Sequence, residues 1–324
     1  MFQLLSQKEE KALTEEGLRD YYSELREYAL HRKLTNTTPG VLTVAPHLKG
    51  ITNKIAKKVT KVLCRCNAEI LCDGQENIPN EAVLFACTHQ GILDNFAWIP
   101  LNPRHSVVLH AAFVKKILLL AQYNTGLVLV SKRDGDAENR KNAKMDMITI
   151  LLKGHSIWYY PEGTWNLSPN KLHLPMSHGF LDIAKKSRAP VVPVVLEYSY
   201  DSSTDRECIT KVHMRYGKPL YVKESDDLNV KLEEYQAAVS TMRWELLEEK
   251  GKFYRKDISN REYINYLKGN LYNLKLGSLD IDFERAHIRG AGSEFYVFHH
   301  INDIPFTEDG KLLETAEVER LRGL

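Results

Sequence analysis

From about Ala68 the chain alternates short apolar runs with helical stretches, and this alternation constrains its fold more than any other feature. The apolar runs fall at 82–87, 107–111, 126–130, 157–160 and 191–197. Helical patterning fills 134–152, 178–187 and 229–250, the last with Leu232, Tyr235, Val239, Met242 and Leu246 at heptad-like spacing. Two further strands are predicted at 211–216 and 220–222, around Gly217-Lys218-Pro219. Strands that alternate with helices need long crossover connections, which favour parallel pairing in an α/β sheet.

Ahead of this region the period is helical. Residues 7–33 read as one helix with an apolar stripe of Leu13, Leu18, Tyr22, Leu25 and Leu30. A turn-rich break with Pro39-Gly40 separates it from a second helix over 49–66. Beyond Lys250 the chain turns polar and rich in Tyr and Asn, with a predicted helix at 262–274 and a strand at 295–299. The expected fold is therefore α/β. A mixed, mostly parallel central sheet is flanked by helices, preceded by an N-terminal helical pair and followed by an appended C-terminal segment. The expected divisions are 1–66, 67–250 and 251–324.

Charge is distributed unevenly. The 324 residues carry 44 basic and 42 acidic side chains, for a formal net charge of only +2. Residues 28–68 nevertheless hold Arg32, Lys33, Lys49, Lys54, Lys57, Lys58, Lys61 and Arg65, with no Asp or Glu among them. Ile51, Ile55, Val59, Val62 and Leu63 lie between these cations at helical spacing. A basic amphipathic helix suits an anionic membrane surface, and Lys54, Lys57, Lys58 and Lys61 are its candidate contacts. The same pattern also suits a solvated helix packed on the sheet. The patch lacks interleaved aromatics, which argues against nucleic acid. No run approaches the roughly 18 apolar residues that span a bilayer. The first residues lack the pattern of a signal peptide. The five cysteines sit at no familiar zinc spacing and fit free thiols in a reducing compartment, and no metal site is expected.

Four blocks carry chemical interest. The first, Thr88-His89-Gln90-Gly91-Ile92-Leu93-Asp94-Asn95, follows a predicted strand end, where ligands bind in α/β sheets. Five residues separate His89 from Asp94, about 140° on an ideal helix, so the two do not share a helical face. A loop position for His89 and a first-turn position for Asp94 lets them meet. A carboxylate that fixes an imidazole makes a general base of it. In the second block, 126–133, a buried strand runs into Lys132 and Arg133, whose donors suit a phosphate. The third, Tyr160-Pro161-Glu162-Gly163-Thr164-Trp165, suits either a plain turn or a loop around a polar ligand. The fourth, Ala189-Pro190-Val191-Val192-Pro193-Val194, marks a strand entering the sheet.

Together, in this order and spacing, the four blocks resemble those of the glycerolipid acyltransferases, which include the lysophosphatidic acid and glycerol-3-phosphate acyltransferases. The resemblance covers about residues 45–225. It implies that an acyl chain passes from a thioester carrier, acyl-CoA or acyl carrier protein, to the free hydroxyl of a lysophospholipid acceptor such as 1-acyl-sn-glycerol-3-phosphate. It implies His89 as base and Asp94 as its partner, with no cofactor beyond the co-substrate. Glu162, Gly163 and Thr164 fall where the family binds the acceptor, and Lys132 or Arg133 where it binds phosphate. Residues 5–66 resemble paired helices with which bacterial members sit on the membrane, so a peripheral enzyme at the cytoplasmic face is expected. Two departures stand out. Trp165 replaces the usual Arg, which opens the acceptor to other lysolipids or small molecules. The register leaves both Lys132 and Arg133 as phosphate candidates. A hydrolase would need a Gly-x-Ser-x-Gly elbow, and none exists. A P-loop is also missing. A catalytically silent membrane-binding relative is the rival from another class.

Overall fold

The structure is a computed structural model. It describes residues 2–38, 51, 54, 55, 58, 69–89, 94, 106–111, 126–130, 136–163, 166, 172–201 and 208–249. The predicted elements at 262–274 and 295–299, and the C-terminal segment as a whole, lie outside these residues.

The N-terminal region forms α1 (Gln7–Lys11) and α2 (Glu15–His31). The single helix expected over 7–33 is thus two. The break follows from Thr14, whose side chain accepts the Gly17 N–H and starts α2 afresh. Ser6 and Glu9 close a capping box on α1. The expected apolar stripe is also corrected: Tyr22, Leu25 and Ala29 are buried, whereas Leu13 and Leu30 are 39% and 43% exposed.

The strands are β1 (Thr37–Thr38), β2 (Glu69–Asp73), β3 (Leu84–Cys87), β4 (Ser106–Ala111), β5 (Leu127–Val130), β6 (Ser156–Tyr159), β7 (Val191–Asp201) and β8 (Cys208–Tyr216). Helix α3 (Ala137–Leu152) follows β5, α4 (Gly179–Ser187) follows β6, and α5 (Leu228–Glu249) follows β8. The eight strands form one sheet in the order β1-β5-β4-β6-β3-β7-β8-β2. Its middle five, from β5 to β7, are mutually parallel. β1 pairs antiparallel with β5, and β8 antiparallel with β7. The mixed, mostly parallel sheet is as the alternation requires. The expected strand at 220–222 is not one: Leu220 makes an isolated bridge to Val191, and Ala189, which would face Val222, gives its N–H to the Ser187 hydroxyl instead.

Side chains alternate across the sheet. Leu84, Ala86, Val107, Val128, Ile157, Val191 and Val195 pack in one cluster with Tyr22 and Leu25 of α2, Ile148 of α3, Phe180 of α4 and Tyr235 of α5. Val83, Phe85, Val108, Trp158, Val192, Val194 and Tyr216 form a second cluster, with Phe85 tilted against Trp158 at 5.4 Å between centroids. Strand β3 is therefore flanked by partners on both edges and buried by side chains on both faces. Gly74, which precedes a 3₁₀ turn after β2, has φ +73°, and a Cβ there would lie 2.1 Å from the Tyr216 carbonyl oxygen.

Buried ion pairs fasten the N-terminal region to the sheet domain. Glu10 accepts from the Tyr22 hydroxyl at 3.0 Å, from Lys185 at 2.8 Å and from Lys186. Lys186 also reaches Asp182, which pairs with Lys144 at 2.7 Å. Asp146 on α3 is fully buried. It pairs with Arg32 and accepts from the Thr35 and Asn36 N–H groups and from the Thr37 hydroxyl, at 3.0, 2.7 and 2.8 Å. That one carboxylate shapes the turn that delivers β1 to the edge of β5. Removing it takes the counter-charge from Arg32, which still reaches the Thr35 hydroxyl, and the acceptor from three donors. Asp146→Ala is expected to cost about 3–5 kcal/mol, measured by denaturant unfolding.

Candidate active site

The site grows from the carboxyl end of β3. Thr88 donates its N–H to the Val194 carbonyl at 3.0 Å, and its hydroxyl accepts the Leu196 N–H at 3.2 Å. These bonds tie the first residue past β3 to β7 and fix where His89 begins. The Asn166 N–H donates to the His89 carbonyl, and the His89 N–H donates to Glu162 Oε1 at 3.4 Å. The histidine backbone is thus held on both its donor and its acceptor side.

His89 Nδ1 lies 2.8 Å from Asp94 Oδ2. Asp94 is helical and fully buried, and His89 is not helical. The pair meets across its five-residue separation as a loop position and a helical position can. With Nδ1 as donor to the carboxylate, Nε2 is left as the acceptor. Tyr160 stacks on the imidazole, with ring centroids 4.0 Å apart and planes 16° apart. Its hydroxyl donates to the Asp94 carbonyl at 3.1 Å. Burial pushes that phenol well above its ordinary value, so it stays a donor. Tyr160 therefore touches both members of the pair.

Glu162 and Gly163 lie in the turn that leaves β6. The Gly163 N–H bonds back to the Tyr160 carbonyl at 3.0 Å, and Gly163 takes φ +67°, a conformation that favours glycine. Pro161 suits the second position of such a turn. Glu162 is buried, and both its oxygens are engaged: Oε1 by His89 and Oε2 by the Leu174 N–H at 3.1 Å. Burial raises its carboxyl from 4.5 to about 8. Arg243 and the two backbone N–H groups oppose that rise, and the Asp94 charge adds to it. In this structure each of its two oxygens takes a backbone N–H, which clamps the His89 loop to residues 172–174.

Lys132, Arg133 and Thr164 lie outside the described residues, as do Lys57 and Lys61. Lys54 and Lys58 are helical and exposed, far along the chain from the His89 site. Among the described residues, no three of His, Cys, Asp and Glu converge as a metal site requires. Sequence reasoning missed Asn166, Leu174 and Arg243, because backbone donors and a distant helix leave no local spacing. Tyr160 stood inside a quoted block but was not singled out.

The sign of the Glu162 effect on stability is fixed by its direction. The folded value exceeds the unfolded one, so the group stabilises the fold fully below about 4.5, and that contribution is lost as pH rises through about 8. Glu162→Gln, which cannot ionise, is expected to show a flatter unfolding midpoint than the parent across that window. Its midpoint at low pH should be slightly lower, since an amide accepts only one of the two N–H groups. Chemical denaturation followed against pH checks both.

Residues 69–197 match the family model described as Acyltransferase. Curated relatives include 1-acyl-sn-glycerol-3-phosphate acyltransferase alpha of Ovis aries, 28% identical over 136 residues, which are 40% of this chain and 45% of that protein. A putative 1-acyl-sn-glycerol-3-phosphate acyltransferase of Caenorhabditis elegans is 30% identical over 135 residues, 40% of this chain and 47% of that one. The matches thus span less than half the length of these relatives. Among solved structures, the 1-acyl-sn-glycerophosphate acyltransferase PlsC of Thermotoga maritima superposes with a TM-score of 0.51 at 17% identity, over 70% of this chain and 88% of that one. At that identity the likeness shows a shared fold. The matched segment contains His89, Asp94 and Glu162, and over it the chain resembles the glycerolipid acyltransferases.

Proposed function

We propose that the protein is an O-acyltransferase. It moves a fatty acyl chain from a thioester, acyl-CoA or acyl carrier protein, to the free hydroxyl of a lysophospholipid, foremost 1-acyl-sn-glycerol-3-phosphate. The observation that carries this is the buried His89–Asp94 pair at 2.8 Å, within the segment that matches the acyltransferase family. Asp94 holds the imidazole so that Nε2 faces the acceptor as a base. The acceptor oxygen attacks the thioester carbonyl while Nε2 takes its proton. The new C–O bond forms, the C–S bond breaks, and the imidazolium returns the proton to the departing thiolate. No acyl-enzyme is needed, because the acceptor oxygen is itself the nucleophile.

Trp165, standing where the family resemblance calls for Arg, favours a second acceptor class: a lysolipid that does not present a bare phosphate monoester. Purified protein incubated with acyl-CoA or acyl carrier protein thioesters and a panel of lysolipids separates these by mass spectrometry. A diacyl product is expected, and His89→Ala should lower its rate by about 100-fold or more while the protein stays folded. No product with any acceptor, or an unimpaired alanine variant, overturns the reading.

The working place in this proposal is a membrane surface. Ile51 and Ile55 are helical and 61% and 58% exposed, one turn apart, beside the exposed Lys54 and Lys58. Apolar side chains left open beside lysines suit insertion at an anionic interface, where each cation contributes about 1 kcal/mol. Among the described residues, no helix is long and apolar enough to cross a membrane. Changing Lys54, Lys57, Lys58 and Lys61 together to Glu is expected to abolish co-sedimentation with anionic vesicles. Unchanged sedimentation would refute the surface role.

A further inference from the structure

Helix α5 lies beyond residue 197, where the family match ends, yet it reaches the active site through one side chain. Arg243 is buried, and its guanidinium divides its donors. Nε donates to Glu197 Oε2 at 3.1 Å, in the middle of β7. One terminal nitrogen donates to the Leu172 carbonyl at 2.7 Å. Two residues later, Leu174 gives its N–H to Glu162 Oε2, and Glu162 Oε1 holds the His89 N–H. Glu197 in turn adjoins Leu196, whose N–H is bound by Thr88, the neighbour of His89. Arg243 thus meets the His89 loop by two routes, one through β7 and one through residues 172–174.

We propose that Arg243 is a positioning residue for the acyl-transfer site: by fixing Leu172 and Glu197 together it sets the Glu162 clamp and hence the placement of His89. This rests on the acyltransferase reading given above. A planar fork with several donors serves two acceptors in different directions, which an ammonium at the same site does less well. The second observation is electrostatic. The Arg243 charge draws the Glu162 carboxyl back down against its burial, which favours the ionised form that accepts both N–H groups.

The test uses the full chain and two variants. Arg243→Lys keeps the charge and loses the fork. Arg243→Gln combined with Glu197→Gln removes both charges, so neither is left buried alone. Three readouts apply: the thermal midpoint, kcat and KM for the acceptor, and the downfield proton resonance of the His89 Nδ1–H···Asp94 bond, assigned by its loss in His89→Ala. Arg243→Lys is expected to stay folded with kcat reduced about tenfold, KM within about twofold, and the resonance shifted or broadened. The double variant is expected to behave likewise. If it does not fold, Arg243→Lys decides. A folded Arg243→Lys with parental kcat and an unmoved resonance overturns the proposal. Because the resonance needs no turnover, a parent that shows it but acylates nothing disproves the function reading, and the resonance of the variants still judges the positioning role.

Discussion

The chemistry of this molecule depends on the hydrogen-bonded pairing of β3 with β6 on one edge and with β7 on the other. A central parallel strand with both edges paired and both faces buried cannot shift its register without breaking two ladders and mispacking two apolar clusters. That rigidity is handed to Thr88, which bonds back to β7 at both its N–H and its hydroxyl, and then to His89. The turn after β6 comes from the other neighbour and brings Tyr160 and Glu162 against the same histidine. The catalytic candidates are precise because they are the ends of strands that are locked side by side.

Around this frame the protein spends buried charge freely. Glu10 with Lys185 and Lys186, Asp146 with Arg32, and Glu197 with Arg243 are all largely removed from water. Such pairs add little net stability over apolar packing, but breaking one is costly, so they specify which segments meet. Two of them join the N-terminal helices to the sheet domain, and the third joins the last described helix to β7. The apolar clusters make the fold cohesive, and the ion pairs fix the placement of the segments outside the family match.

Much of this was legible in the sequence, and the particular misses have physical causes. The five central strands announced themselves as short apolar runs, because a strand buried on both faces has no polar alternation to blur it. His89 and Asp94 could be paired by asking which backbone states let two residues five apart meet. β1 and β2 were not read as strands: two residues give no periodicity, and Glu69–Asp73 mixes acids with a cysteine. The break at Thr14 is a cap competing with a continuing helix, and the mixed-charge pattern around it hid the choice. Arg243 was invisible, because its partners lie 46 and 71 positions away and one of them is a main-chain carbonyl. Glu162 was read as a ligand contact from its block, and the two main-chain donors that it also accepts come from positions no local spacing reveals.

The Asp146 turn has a consequence beyond anchoring. Without Thr37–Thr38 alongside it, β5 would end the parallel sheet as a naked apolar strand, with a row of unpaired donors and acceptors open to another molecule's strand. Held there by the buried Asp146 carboxylate, β1 covers the edge of β5 at Leu127 and Val128, so the contact that shapes the turn also closes that part of the sheet's rim.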